Sequence, residues 1–328
     1  FKKFHMGKYI LRRLLQAIPL VILISMTVFL LMHLIPGGPL AAYESPGITA
    51  EDLERLKHEL GLDVPIHIQY WNWLMAIVRG NWGTSIVSGR PVLTEISERI
   101  FNTLYLSIVA FIGSLLISIP LGVTSATRQY SKIDNIATTI AFFGQSIPIF
   151  WMGLIMIIIF NVMIKNPNTG GPLLPGGGMS TIGSDFSFED RLKHLILPAS
   201  VLIFFNLGTH VRYTRSGMLD GLHQDYIRTA HAKGLNKRTV ILKHALRNSL
   251  LPLITIIGLE LPGLFNGALI TETIFSWPGM GRLFFNSIDR ADYSVMMGVL
   301  LMNAIMIVLS GLLTDIVYGL LNPRIRFD

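Results

Sequence analysis

No cysteine occurs among the 328 residues, which removes disulfides, thiolate metal sites, iron–sulfur ligation and thiol nucleophiles together. Charge is also scarce. Only 14% of residues are Asp, Glu, Lys or Arg, while 51% are hydrophobic and the mean hydropathy is +0.53. Soluble domains carry about 25% charged residues, and their cores stop growing near about 250–300 residues, so the deficit excludes an ordinary soluble domain. The sequence offers no convincing internal repeat and no Ser-His-Asp or paired-carboxylate constellation that would make an active site. What it has instead is a series of long apolar stretches, and the composition reads as an integral membrane protein.

A bilayer core asks for about 20 mostly apolar residues per helix. Stretches free of Asp, Glu, Lys and Arg run from Leu14 to Pro36, Ile100 to Thr127, Asn135 to Ile164 and Tyr293 to Thr314. A shorter one, Leu195–Val211, is closed by His194 and Arg212, side chains that can reach the interfaces. The remaining stretch, Ser249 to about Phe275, is interrupted by Glu260 and carries Pro252 and Pro262. Six transmembrane helices are expected in an all-α polytopic membrane protein. The first stretch is too long, and too poor in small residues at a cleavage site, for a removable signal peptide, so it is read as a retained span. With the N-terminus inside, seventeen Lys and Arg fall on the inner side and ten on the outer, eight of the inner ones between Arg212 and Arg247. Basic residues are held on the cytoplasmic side, so both termini are placed in the cytoplasm. The net charge of +7 is thereby explained by topology, and a nucleic-acid partner loses its support.

The expected organisation is an N-terminal region, residues 1–99, with the first span and an outer loop, followed by a core of five spans over residues 100–328. In the outer loop, Thr49 can cap a short helix through Leu60, with Asp52 three residues on and Gly61 as its stop. Leu53, Leu56 and Leu60 with Tyr70, Trp71, Trp73 and Trp82 suit either a segment at the membrane interface or a packed cap over the bundle. Asn166–Gly178, dense in Pro and Gly, reads as an irregular outer loop.

The most informative segment is the basic inner connection from Arg212 to Pro252. It holds Asp225-Tyr-Ile-Arg-Thr-Ala-His-Ala-Lys-Gly-Leu235 and, further on, His244-Ala-Leu-Arg-Asn-Ser-Leu-Leu-Pro252. Tyr226, Ala230 and Gly234 recur at i, i+4 and i+8 and so share one face of a short helix, where two small residues would let another protein approach closely. Asp225 near its start and Lys233 near its end suit the helix dipole, and Gly234 can end it in a left-handed conformation. A solvated linker helix fits the same residues.

Asp225–Leu235 with the downstream Leu-Leu-Pro resembles the EAA loop of ABC importer permeases, in the form of the dipeptide/oligopeptide/nickel group. Arg12-Arg13, Ile35-Pro-Gly-Gly-Pro39, Gly83-Thr-Ser85, Glu272-Thr-Ile-Phe-Ser-Trp-Pro-Gly279 and the tail Asn322-Pro-Arg-Ile-Arg326 agree with that group. Arg228 and Thr229 stand where the broad family has Glu and Ala, a departure that narrows the resemblance to the peptide-type subgroup. The resemblance implies a type I importer permease fold, with an outer cap after helix 1 and a cytoplasmic coupling helix between helices 4 and 5. It implies that Asp225, Tyr226, Arg228, Thr229, Ala230, Ala232, Lys233, Gly234 and Leu235 meet an ATPase. The expected partners are a second permease subunit, two cytoplasmic ABC ATPases, an extracytoplasmic solute-binding protein and membrane lipid, in a bacterial or archaeal cell (inner) membrane. No G-x-x-x-x-G-K-[S/T] occurs, since Gly7-Lys8 is followed by Tyr9 and Gly176-Gly-Gly178 by Met179. No cofactor is therefore expected in this chain, and ATP and Mg belong to the partner ATPases. Peptides lead as substrate; nickel chelates, glutathione-like peptides and oligosaccharides are the alternatives within the same machinery.

Glu260 lies near the middle of the fifth span, where an ionisable group is costly, and Gly258, Pro262 and Gly263 loosen the helix around it. It is read as lining the translocation pathway, where it could attract a cation such as a peptide amino terminus; a buried structural hydrogen bond and an interfacial position through a mis-set span are the competing readings. Asp315 is expected to pair with a basic inner residue. His33, Asn206 and His210 read as helix–helix hydrogen bonders rather than metal ligands, and Met296, Met297, Met302 and Met306 as packing. A stand-alone channel or secondary transporter would need more intramembrane charge than Glu260 and Asp315 supply. The topology is directly testable: in intact spheroplasts, a cysteine placed at Ser45 of this cysteine-free chain is expected to react with an impermeant thiol reagent, and one placed at Ser131 is not. Reversed labelling would overturn the orientation.

Overall fold

The computed structural model describes residues 2–34, 38–43, 49–183, 185–265 and 268–321. Ile35-Pro-Gly37, Ser45 and the Asn322–Arg326 tail thus lie outside the described residues. In chain order the helices are α1 (Lys2–His33), α2 (Ala50–Glu59), α3 (Ile66–Val78), α4 (Val92–Thr127) and α5 (Lys132–Ser146). Then come α6 (Ile149–Ile157), prolonged by a π-helical turn over Ile158–Met163, α7 (Phe188–Leu222), α8 (Asp225–Ala232) and the single turn α9 (Lys237–Thr239). A π-helical turn over Val240–Ala245 leads into α10 (Leu246–Ser249), α11 (Leu251–Glu260) and a 3₁₀ turn over Leu261–Leu264. The chain closes with α12 (Leu269–Ile274), α13 (Met280–Asp289) and α14 (Tyr293–Leu321). Among the described residues the only extended pairings are two isolated bridges, Thr84 with Pro91 and Lys165 with Pro172.

Among the described residues four stretches are long and apolar enough to cross a membrane: Leu11–His33, Val92–Thr127, Phe188–Leu222 and Tyr293–Asp315. Two bent pairs bring the number to six if each counts as one span: Lys132–Ser146 with Ile149–Met163, at 101°, and Lys237–Ser249 with Leu251–Leu264, at 46°. The first bend breaks the stretch expected as one helix over Asn135–Ile164. Pro148 causes it, because its ring clashes with a helical residue before it and drives Ile147 to an extended ψ of 128°. The stretch expected over Ser249–Phe275 also differs: its helix ends at Glu260 before Pro262, and Phe275 follows a separate helix, α12. Helix α7 runs eleven residues beyond Val211, to Leu222, so Arg212 and Arg215 are helical rather than part of a loop.

The chain forms two compact units. The first comprises Phe1–Thr103, Phe265–Leu269 and Pro278–Asp328. Here α1 and α14 run antiparallel and are tied at both ends, by Arg13 Nη2 to Asp315 Oδ2 at 3.1 Å and by His33 Nδ1 with the Tyr293 hydroxyl at 2.9 Å. Asp315 thus has the basic partner expected of it. Between the ties Phe29, Met32, Met296 and Met297 are buried, and Tyr70 and Trp73 of α3 pack on them with rings 5.5 and 5.6 Å from Phe29. These two aromatics form a packed cap; Trp71 is turned outward. Helix α2 starts as expected, at a capping box in which Thr49 Oγ1 accepts from Asp52 N and Asp52 Oδ2 accepts from Thr49 N, each at 3.2 Å. The Thr49 hydroxyl, donating at 2.6 Å, and its N–H hold the Asp52 carboxyl below the usual carboxylate range. Gly61 follows the helix with φ +65°.

The second unit comprises Leu104–Leu264 and Ile270–Trp277. Helix α5 lies antiparallel against α7 at a distance only glycine permits: a Cβ on Gly144 would sit 2.7 Å from Phe204 O, and one on Gly208 would collide with Ala141 O. Asp134 near the start of α5 takes both Arg215 Nε at 2.7 Å and Arg215 Nη2 at 2.9 Å, with further bonds from Ser125 Oγ and Tyr130 N. At the other end, Gln145 Nε2 donates to Thr209 Oγ1 and Arg212 Nη2 to Gln145 Oε1, both at 2.6 Å. Phe275 and Trp277 are buried against α7 residues, Phe275 with Leu197 and Val201, Trp277 with Leu195 and Ala199. Since the crossing has no room for a side chain at Gly208, Gly208→Val is expected to remove the subunit from membranes, at a cost of about 3 kcal/mol or less for overpacking. Immunoblots of membrane fractions check this, and wild-type accumulation would refute the close contact.

Candidate functional site: a surface helix and a buried histidine–glutamate pair

Helix α8 is anchored by two residues. Ile227 and Ala230, three apart and therefore on one face, are 4% and 5% exposed and share a core with Ala126 of α4, Met218 of α7 and Val240 and Ala245 of the π turn. Asp225, Tyr226, Arg228, Thr229, Ala232, Lys233, Gly234 and Leu235 are all exposed. The helix stops at Lys233, and Gly234 takes φ +74°, a left-handed value that suits glycine, with its N–H on His231 O. The small-residue face expected from Tyr226, Ala230 and Gly234 is thus not formed as a common exposed surface: Ala230 points into the chain's own core and Gly234 lies past the helix end. The apolar i, i+3 pair Ile227/Ala230 was the signal for this. Asp225 and Arg228 form a loose exposed ion pair at 3.6 Å, which contributes little.

The second constellation is buried. Glu260, the last residue of α11, places Oε2 2.7 Å from His210 Nε2 on α7. His210 Nδ1 lies 2.9 Å from Ser114 Oγ on α4, whose hydroxyl donates to Phe111 O at 2.9 Å. His210 and Ser114 are fully buried, and the Phe111 ring stands edge-on to the imidazole at 6.0 Å. The Glu260 side chain remains 31% exposed. His210 therefore joins helices as expected, through Ser114 and Glu260. Sequence reading missed this because fifty residues separate the acid from the imidazole and no local period links them. His33 is likewise a helix-joining residue, with Nε2 on Gln69 Oε1 at 3.1 Å.

The arrangement offers an outward-facing helix rooted in a core shared with α4, α7 and the π turn, together with a hydrogen-bonded histidine–glutamate pair that joins α7 to α11. Residues 118–327 match the family described as "binding-protein-dependent transport system inner membrane component", and residues 6–107 match its N-terminal component. The oligopeptide transport system permease protein AppB of Bacillus subtilis (strain 168) is 45% identical over 323 residues, covering 98% of this chain and 100% of that one. The dipeptide transport system permease protein DppB of Escherichia coli (strain K12) is 42% identical over 339 residues, covering 98% and 99%. The glutathione transport system permease protein GsiC of Salmonella typhi is 36% identical over 322 residues, covering 98% and 100%. An inward-facing conformation of the MetNI methionine ABC transporter superposes with a TM-score of 0.53 at 18% identity, over 70% of this chain and 97% of that chain, a likeness of fold. This chain belongs to the family of inner membrane components of binding-protein-dependent transport systems.

Proposed function

We propose that this chain is the first of two permease subunits of an ATP-driven importer of di- and oligopeptides. It crosses the cell (inner) membrane six times, each bent pair counting as one span, with both termini in the cytoplasm. Two cytoplasmic ATPases, holding ATP and Mg, engage α8. An extracytoplasmic solute-binding protein delivers substrate to the side carrying residues 37–99, and Glu260 lines the path shared with the second permease. The oligopeptide and dipeptide names of the relatives support the substrate class; the glutathione relative fits it too, being named for a tripeptide.

The observation that carries this reading is the way α8 is mounted. Nine residues of the Asp225–Leu235 segment face outward, while Ile227 and Ala230 lock into a core built from α4, α7 and the helix leading to α11. A load on the outward face is passed to α7 and α11 by packed side chains, because a close-packed interior transmits displacement instead of absorbing it. The chain itself brings no nucleotide-binding loop, so the load must come from elsewhere.

In the complex co-expressed with its ATPases, second permease and binding protein, Ala232→Trp and Arg228→Glu are expected to lower ATP-driven peptide uptake and ATPase co-purification by about tenfold, a typical coupling energy. The subunit itself should stay in the membrane at normal levels. Ala230→Leu, which overfills the inward core, should instead reduce the amount of subunit. Normal uptake and normal co-purification in both surface variants would refute the assignment of α8.

A further inference from the structure

We propose that the His210–Glu260 pair is a recognition site for an ammonium group on the substrate, with a Glu260 oxygen as the contact and His210 as the positioning residue. The inference rests on the peptide reading above, since a peptide carries a free amino terminus.

The imidazole is held from both sides: Ser114 Oγ, which also donates to Phe111 O, lies 2.9 Å from Nδ1, and Glu260 Oε2 lies 2.7 Å from Nε2. A carboxyl group standing alone among apolar side chains would be costly, and this hydrogen bond offsets part of that cost while no ligand is bound.

The geometry also leaves room for a ligand. Only Oε2 is engaged; Oε1 takes no hydrogen bond among the described residues, and the side chain stays partly open. Three residues on, a Cβ built at Gly263 would meet no atom within 4 Å among the described residues, so the 3₁₀ turn that follows Glu260 is not packed over at that point. Glu260 also closes α11, where Pro262 has no N–H to continue the α-helical ladder, and the electronegative end of that helix adds to the carboxylate. Arg212, two residues on from His210, does not compete for Glu260, because its guanidinium is turned to Gln145 on α5. An ammonium group reaching Oε1 meets a carboxyl group whose other oxygen is fixed by His210, so the imidazole sets the orientation in which Glu260 presents its free oxygen.

The test uses the full transporter in proteoliposomes and one tripeptide in two forms, free and N-acetylated. The wild type is expected to take up the free form with the lower KM. Glu260→Gln should bring the two KM values together by raising that of the free form, with uptake of the acetylated form unchanged; Glu260→Asp should keep part of the difference. His210→Asn should raise the KM of the free form in the wild-type background and have no further effect beside Glu260→Gln, which a purely structural role would not produce. Equal KM values for the two forms in the wild type, or an unchanged ratio in both Glu260 variants, would overturn the site while leaving peptide import standing. Uptake of neither form by the wild type would overturn the peptide reading and the site with it.

Discussion

Backbone contact between α5 and α7 is the constraint on which the second unit depends. Apolar surface gives helices no reason to associate in a hydrocarbon solvent, so close packing and interhelical hydrogen bonds must hold them. Gly144 and Gly208 bring the two backbones together, and the resulting register sets Asp134 against Arg215 and Gln145 against Thr209 and Arg212. These polar contacts at both ends of the crossing fix the rotation of α7 about its own axis. That rotation decides which way His210 and Met218 point, and so where both candidate constellations are built.

Helix α7 is also the element the two constellations share. Met218 lies under α8, and His210, eight residues earlier, meets Glu260. Eight residues of helix rise about 12 Å, so one rigid rod connects the anchored base of the surface helix to the buried pair. The second route between them runs through the π turn and α10 into α11, whose 46° bend follows directly after Ser249. A straight rod and a jointed one therefore join the same two places.

Local features were legible in the sequence. The capping box of Thr49 and Asp52, the stop at Gly61, the packing role of Met296 and Met297 and the need of Asp315 for a basic partner follow from short spacings and from residue chemistry. The bend at Pro148 had a visible cause that the unbroken apolar run concealed, because hydropathy does not register backbone geometry. The inward turn of Ala230 was available from its spacing to Ile227 and was overridden by the expectation of an exposed small-residue face. The bonds of Arg215 to Asp134 and of His210 to Glu260, spanning 81 and 50 residues, were not legible at all. They arise from the helix crossing, which no single segment encodes. The same holds for the first unit, where the last helix returns to lie along the first.

That return has an arithmetical consequence. Arg13 meets Asp315 at one end of the α1–α14 pair and His33 meets Tyr293 at the other, so the two helices are level as well as antiparallel. If these two helices each cross the membrane, the chain goes out along α1 and comes back along α14 to the side it left, a return that closes an even number of crossings, as the reading of six spans requires.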